Sequence, residues 1–499
     1  MSRYVVIGGG VSGLAAARVL AGAQRVGAVA AAAGSSLELG GKGDDHVVVL
    51  EASARAGGKV LTGSLAALRI DLGPDQFLRR DPSAERLCRL LGLGEALVTP
   101  SVSNAAVFSY DRARPLPAGL VLGIPTDLPA LSSSGIVSKA ACRFATSDSD
   151  RPGPVLEAAD VGLHLDGSDT PSRVERSAGA ILRPRLGDEI VDRLVDPLIG
   201  GINAGSIDDL SLGTVAPQIA RALIGHHDVI APLRSAQPPR RYDSPFFGLV
   251  GGLGRLVTAV TEELSHLGCD VKYGCAALRI RLGEPGAKAR YVVDTIRGSY
   301  PADGVVVALP AGQAASVLKD IAPKAAGLLA TVGYGSVAVV TFSFDRELPR
   351  ALEGLSGVLV PRVEGTLMTA LTLLSQKWPW TTEKTPLHPL VRVSAGRHLD
   401  SRIDTLSDDD LCRSLATELT QLLGLDAKPT GCLLQRWPQA FPQYVPGHSA
   451  RIGLILRALG DQPGIAMAGA TLGGVGVPAC ISSGELAADQ VRLVAQEPT

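Results

Sequence analysis

Tyr4-Val5-Val6-Ile7-Gly8-Gly9-Gly10-Val11-Ser12-Gly13-Leu14 decides the fold of this 499-residue chain. The apolar run before the glycines is too short for a helix and reads as a strand buried on both faces. Gly8, Gly10 and Gly13 follow in G-x-G-x-x-G spacing and open a predicted helix that runs to about residue 20. Each glycine answers a physical need: a tight turn, a close approach of backbone to pyrophosphate, and tight packing of helix on strand. The positive end of the helix then faces the phosphates. A second apolar run, Val47-Val48-Val49-Leu50, ends at Glu51, whose carboxylate suits ribose hydroxyls. The interval from Gly13 to Glu51 exceeds the roughly 20 residues this motif expects. Residues 21–45, rich in Ala and Gly with no clear period, read as a low-complexity insertion that accounts for it.

The far end of the chain answers the beginning. Ile465-Ala466-Met467-Ala468-Gly469-Ala470 reads as a strand, and Gly473-Gly474-Val475-Gly476-Val477-Pro478 as a glycine-rich turn into a helix. Two such termini are expected to wrap one long dinucleotide, and FAD is the candidate. The continuation Glu51-Ala52-Ser53-Ala54-Arg55-Ala56-Gly57-Gly58-Lys59 separates FAD from a simple NAD domain. Arg55 can bridge to phosphate, and Gly57-Gly58 lets the backbone lie against an extended cofactor. Asp71-Leu72-Gly73-Pro74-Asp75 then places a tight turn where the flavin would lie.

Between these ends, a hairpin is expected over 61–71 and a helix over 84–91. Residues 114–117 read as a turn, 122–126 as a loop, and the polar stretch 145–177 as a mobile loop. Helical periodicity covers 178–199, with Ile181, Leu182, Leu186, Ile190, Leu194 and Val195 on one face. Helices follow at 255–267 and 408–423, and strands at 270–273, 304–309, 337–342 and 390–394. The expected fold is α/β: a discontinuous Rossmann-like FAD-binding domain in three parts, 1–100, 246–311 and 446–499. A mainly helical domain, 101–245, and an α+β substrate-binding domain, 312–445, are inserted between those parts.

Composition narrows the function. A net charge of −1 gives no global field toward nucleic acid or anionic membrane, so no nucleic-acid partner is expected. Mean hydropathy is +0.22, yet the longest uncharged stretch, 465–484, is broken by glycines and a proline and would make a poor membrane span. Membrane contact is expected to be peripheral at most. The seven cysteines are odd in number with no CxxC pair, and with a strand expected from residue 4 no signal peptide is expected. A reduced, cytoplasmic protein is expected. His226-His227 lacks partners at ligand spacing, so no metal is expected.

Several longer motifs resemble the protoporphyrinogen/coproporphyrinogen oxidases, within the wider amine-oxidase-like flavoproteins. They are Gly73-Pro74-Asp75-Gln76-Phe77-Leu78, Leu116-Pro117 with Gly123-Ile124-Pro125-Thr126, Leu186-Gly187-Asp188-Glu189, Asp196-Pro197-Leu198-Ile199-Gly200-Gly201-Ile202, Leu210-Ser211-Leu212, Lys377-Trp378-Pro379, Arg436-Trp437, Pro442-Gln443-Tyr444 and Gly447-His448. The resemblance implies that FAD is held non-covalently by Gly8, Gly9, Gly10, Val11, Ser12 and Gly13, by Glu51 and Lys59, by Gly73, Pro74, Asp75 and Gln76, by the backbone of Val271, by Trp437, and by Val475, Gly476 and Val477. Arg55, Gly58 and Gly469 join this set on the readings above. The Val475-Gly476-Val477 amides would stabilise negative charge on the reduced isoalloxazine.

By the same resemblance, a porphyrinogen loses six electrons in three flavin cycles, each reoxidised by O2 with release of hydrogen peroxide. The flavin performs the chemistry, so no catalytic side chain is expected. The animal and plant protoporphyrinogen oxidases carry an arginine just before the strand equivalent to 107–110. Here the neighbourhood is Ser103-Asn104-Ala105-Ala106, which matches the Gram-positive and actinobacterial coproporphyrinogen III oxidases. The four carboxylates of coproporphyrinogen call for exposed cations, and Arg79, Arg80, Arg362 and Lys377 are candidates. A transient contact with the next haem-pathway enzyme completes the expected partners. Alternatives are a protoporphyrinogen IX oxidase, an amine oxidase or carotenoid desaturase on the same scaffold, and a non-enzymatic carrier of haem precursors.

Overall fold

The apolar run at the start of the chain forms the strand Arg3–Ile7, the centre of a five-stranded parallel sheet. The structure, a computed structural model, describes residues 2–25, 45–65, 67–151, 153–163, 174–236, 244–381, 389–424 and 428–495. Most of the expected insertion and the middle of the expected mobile loop lie outside the described residues. Across the sheet the strands run Asp270–Lys272, His46–Leu50, Arg3–Ile7, Gly304–Val307 and Ile465–Met467. Tyr4, Val6, Val47, Val49 and Ala466 face one core; Val5, Ile7, Val48, Leu50, Ile465 and Met467 face the other. Both faces are covered, which is why these strands are apolar throughout rather than alternating.

The first face is covered by the helices Val11–Leu20, Gly254–His266 and Val477–Ala495. A Cβ at Gly484 would stand 2.1 Å from the Ser12 carbonyl oxygen, so the first and last helices meet in near-backbone contact. Buried Ala15, Ala16, Ala487 and Ala488 keep the rest of that contact close. The two ends of the chain therefore share one core.

A second sheet has seven strands, in the order Gly431–Pro442, Tyr334–Ser343, Leu390–Ala395, Met368–Leu373, Gly357–Leu359, Ala105–Ser109 and Arg112–Pro115. The helix Asp408–Leu423 buries Leu411, Leu415 and Leu419, spaced four apart, against it. Ser407 caps this helix by accepting the Asp410 N–H, three aspartates sit at its positive end, and Gly424 closes it at φ +62°.

The structure corrects two readings here. Residues 105–115, grouped by sequence with the helical segment, are two strands of this second sheet. The turn expected at 114–117 falls instead at Tyr110 and Asp111, both at positive φ as a two-residue hairpin turn requires. Pro115 misled because it sits on an edge strand, where a missing N–H costs nothing. The stretch 145–177 is also more ordered than expected where it is described. Ala145 and Thr146 end the helix Lys139–Thr146, and Leu156 and Val161 are buried among hydrogen-bonded turns.

The periodic helical stretch forms as Ala178–Leu186 and Asp188–Ile190, followed by a wider-wound segment, Val191–Gly200, around Pro197. Proline cannot donate to the regular ladder, which favours the local change of pitch.

Candidate active site

The first glycine turn is built almost wholly from backbone. Gly8 adopts φ +104°, and a Cβ there would lie 2.5 Å from the Ala308 carbonyl oxygen. A Cβ at Gly13 would lie 1.9 Å from the Gly8 carbonyl oxygen, so the helix sits directly on the turn. Glu51 is fixed by two backbone donors: Gly9 N–H to Oε2 and Ser53 N–H to Oε1, each 2.8 Å. Beside it, the edge strand Asp270–Lys272 turns the Lys272 carbonyl inward, accepting the Glu51 N–H. Alternation along a strand then presents the N–H and C=O of Val271 at the open edge.

The next segment lies over this turn. The Gly57 N–H donates to Gly9 O at 2.8 Å, and Gly58 passes close to Gly10. Arg55 is turned onto its own loop, donating to Ala56 O and Gly58 O, with its guanidinium 5.9 Å from the Trp437 ring centroid. It braces the loop rather than reaching out to phosphate. Lys59 is exposed to solvent yet enclosed by protein on most sides, as in a deep cleft, and burial lowers its pKa.

The last helix closes on the same place. Cys480, in its first turn, is near both Lys59 and Ser12. Val475, Gly476 and Val477 therefore stand at the mouth of the same crevice as the first turn. Three residues hold this closing segment: Tyr444 and His448, which lie in the motifs quoted above, and Ser483, which the sequence did not single out. Ser483 Oγ accepts the Gly469 N–H, Tyr444 Oη donates to Ala470 O at 2.6 Å, and His448 Nε2 bonds Thr471 O at 2.9 Å. Burial drops the His448 pKa to about 4 and raises that of Tyr444. Both are held neutral as struts, and neither is a proton carrier at neutral pH.

The turn at Gly73 is close-packed as well. A Cβ there would lie 1.9 Å from Lys59 O, and Trp437 Nε1 donates to Leu72 O at 2.7 Å. Pro74 is half-buried, and Gln76 has a buried Oε1 with no hydrogen-bond partner among the described residues. Behind the turn, the Asp75 carboxylate receives Lys377 Nζ at 2.7 Å, Trp378 Nε1 at 2.9 Å and Arg392 Nη2 at 2.9 Å. Burial alone would raise the Asp75 pKa, but Arg392 and Lys377 hold it well below the usual carboxylate range. Arg392 also donates to Gly73 O.

This cluster corrects one expectation. Lys377 was expected as an exposed cation for substrate carboxylates, but it is 7 % exposed and committed to Asp75. Asp75 likewise spends its carboxylate inside the protein. Arg392, which sequence reasoning missed, had one visible signal: the single charge in the strand Leu390–Ala395. Of the other candidate cations, Arg79 stacks at 4.0 Å on Phe247 and donates to Ser244 O. Arg362 donates to Gly205 O and lies 3.9 Å from Asp196, with its side chain 44 % exposed. Arg80 is exposed. His226 and His227 contact Asp228 and the Ser149 carbonyl.

The crevice itself tests whether a flavin dinucleotide fits. At Gly10, unlike Gly8 and Gly13, a Cβ would meet nothing within 4 Å, so the turn opens on free space there. No side chain caps the helix Val11–Leu20, which leaves its first N–H groups for an anion. Among the described residues Lys59 supplies a cation without an ion pair, the open edge at Val271 supplies a donor and an acceptor, and Gln76 supplies an unused acceptor. These residues fit the group.

Comparison with known proteins gives a consistent picture. A family model described as flavin containing amine oxidoreductase matches residues 11–492. The chain is 31% identical over 482 residues to a coproporphyrinogen III oxidase of Mycobacterium leprae, covering 96% of each chain. It is 30% identical over 492 residues to a coproporphyrinogen III oxidase of Bacillus subtilis, covering 97% of this chain and 96% of the relative. A crystal structure from Exiguobacterium sp. 255-15, provisionally assigned as a protoporphyrinogen oxidase, superposes with a TM-score of 0.80 at 29% identity over 99% of both chains. Among the described residues no helix is long and apolar enough to cross a membrane.

Proposed function

The chain belongs to the flavin-containing amine oxidoreductase family, and from that premise we propose that it is an FAD-dependent oxidase of coproporphyrinogen III in haem synthesis. The overall reaction takes six electrons from the substrate, passes them to O2 and forms coproporphyrin III and hydrogen peroxide. Near full-length similarity to proteins named for this activity carries the reading. Bound FAD supplies a two-electron acceptor that is used three times per substrate.

What this chain's residues contribute is binding and orientation. Glu51, held by two backbone N–H donors, accepts from ribose hydroxyls, and the edge of Val271 reads the adenine. The uncapped first helix and Lys59 hold the pyrophosphate end. The amides of Val475, Gly476 and Val477, at the start of a 19-residue helix, would hold the flavin end and stabilise negative charge there on reduction. Tyr444, His448 and Ser483 keep that segment in place without titrating near neutrality. Arg80 and Arg362 are the cations left to meet substrate carboxylates. The site works in the cytoplasm.

The test is an anaerobic titration of the yellow protein with coproporphyrinogen III, followed by specificity constants for the two porphyrinogens. Flavin bleaching and a higher kcat/KM for coproporphyrinogen III are expected. Bleaching by a polyamine alone, or a higher kcat/KM for protoporphyrinogen IX, overturns the assignment.

A further inference from the structure

Of the seven cysteines, Cys88, Cys142, Cys269 and Cys275 are buried, Cys412 and Cys480 are half-buried, and Cys432 is exposed. Cys432 is the second residue of the strand Gly431–Pro442, and Cys412 lies in the second turn of the helix Asp408–Leu423. Their sulfurs are 2.7 Å apart. That is well inside a normal non-bonded contact and less than an ångström from a disulfide bond length of about 2.05 Å. The frame around them is already fixed. Arg436, four residues along the same strand, donates to Asp408 Oδ1 at 2.7 Å, Ile403 O at 2.6 Å and Leu406 O at 2.9 Å. Strand and helix start are thus clamped in the register that points the two thiols at one another.

We propose that Cys412 and Cys432 are a dithiol that hydrogen peroxide closes to a disulfide on the protein surface. The chemistry balances with peroxide as the only oxidant. The Cys412 thiolate attacks one peroxide oxygen, giving a sulfenic acid and hydroxide, which takes up a proton to become water. The Cys432 sulfur then displaces the sulfenic oxygen, and its own proton leaves with that oxygen as a second water. Two thiols and one peroxide become one disulfide and two waters. Partial enclosure and the contact with Cys412 push the Cys432 thiol up to about 12, so Cys432 keeps its proton and acts as donor in the pair.

The pair's chemistry stands apart from the proposed function; only the source of the peroxide, flavin reoxidation, rests on it. The test treats the full-length, FAD-loaded protein with a few equivalents of hydrogen peroxide. Intact mass is expected to fall by about 2 Da, the two hydrogens lost on closure. A linked 412–432 peptide should appear, dithiothreitol should reverse it, and the thermal midpoint should rise by roughly 1–3 °C. Cys412→Ser and Cys432→Ser should each abolish the mass loss and the shift. No linked peptide, or oxygen added at Cys432 in place of hydrogen lost, overturns the proposal. A second arm omits added peroxide and runs turnover with coproporphyrinogen III, with and without catalase. Linkage with added peroxide but not on turnover upholds the dithiol and counts against peroxide release by the enzyme.

Discussion

The Gly8–Gly13 turn and the Asp75 cluster both belong to the proposed flavin site, but they are built in opposite ways. The turn is contiguous in sequence, made of backbone, and open where Gly10 faces free space. The cluster joins Asp75 to Lys377 and Arg392 across some three hundred residues, is made of side chains, and is nearly closed to solvent. The turn should therefore matter to what is bound, and the cluster to whether the protein holds together. That division can be broken from either side.

The largest effect is expected at the cluster. Asp75→Asn leaves buried Lys377 and nearly buried Arg392 without their anion, which should cost about 3–5 kcal/mol of stability, read by urea denaturation. The folded fraction should still bind FAD in ordinary stoichiometry. Loss of flavin with unchanged stability would place Asp75 in the binding machinery instead.

The turn should show the reverse split. Gly10→Val places its Cβ in free space, so the apoprotein should keep its thermal midpoint within a few degrees while flavin absorbance disappears. Gly13→Ala forces a methyl against the Gly8 carbonyl and should cost about 3 kcal/mol as well as the cofactor. Equal stability losses for the two variants would mean the cradle is structural throughout.

The same contrast explains what could be read from sequence. The strand Arg3–Ile7, its glycine turn and the helix Asp408–Leu423 were legible because caps, periodicity and spacing lie within a dozen residues. Lys377 reads as an exposed cation because nothing near it in sequence shows its partner, Asp75, which lies in another segment. Desolvation of an ion pair is a property of the fold, and only the unexpected charge at Arg392 hinted at it. Pro115 failed for a different reason: its meaning depends on whether the strand has a neighbour on that side. Among the residues that hold the closing segment, Tyr444 and His448 lie in motifs visible in the sequence, but their hydrogen bonds to backbone carbonyls are not visible there, and Ser483 leaves no spacing motif at all.

Acid titration sharpens the comparison within one pH window. Burial raises Asp71, hydrogen-bonded to Thr62 and Leu253, to about 6, so the folded state holds that proton more tightly than the unfolded chain. Its contribution is fully favourable below about pH 4 and is lost as pH rises through 6. His448 has the opposite sign: depressed to about 4, it favours the folded state above about pH 6.5 and loses that as pH falls. Each amounts to about 3 kcal/mol, so between pH 6.5 and 4 the two nearly cancel. Asp71→Asn should unmask a steep acid destabilisation in that range, and His448→Gln should make stability rise on acidification. Two parallel pH profiles would show that these groups do not titrate with folding.

The smallest effect concerns the cations that Lys377's burial leaves over. Arg80 is exposed, and Arg362 is only loosely held by Asp196 and the Gly205 carbonyl. Solvent screens an exposed guanidinium–carboxylate contact to about 1 kcal/mol at most. Arg80→Ala or Arg362→Ala should therefore raise KM for coproporphyrinogen III by roughly 3–5-fold with kcat unchanged, because the contact is made equally before and during reaction. Protoporphyrinogen IX has two carboxylates rather than four, so its KM should move less and the preference between the substrates should narrow. A residue that shifts both KM values by the same factor is not reading the extra carboxylates, and its charge then belongs to the ordinary solvated surface.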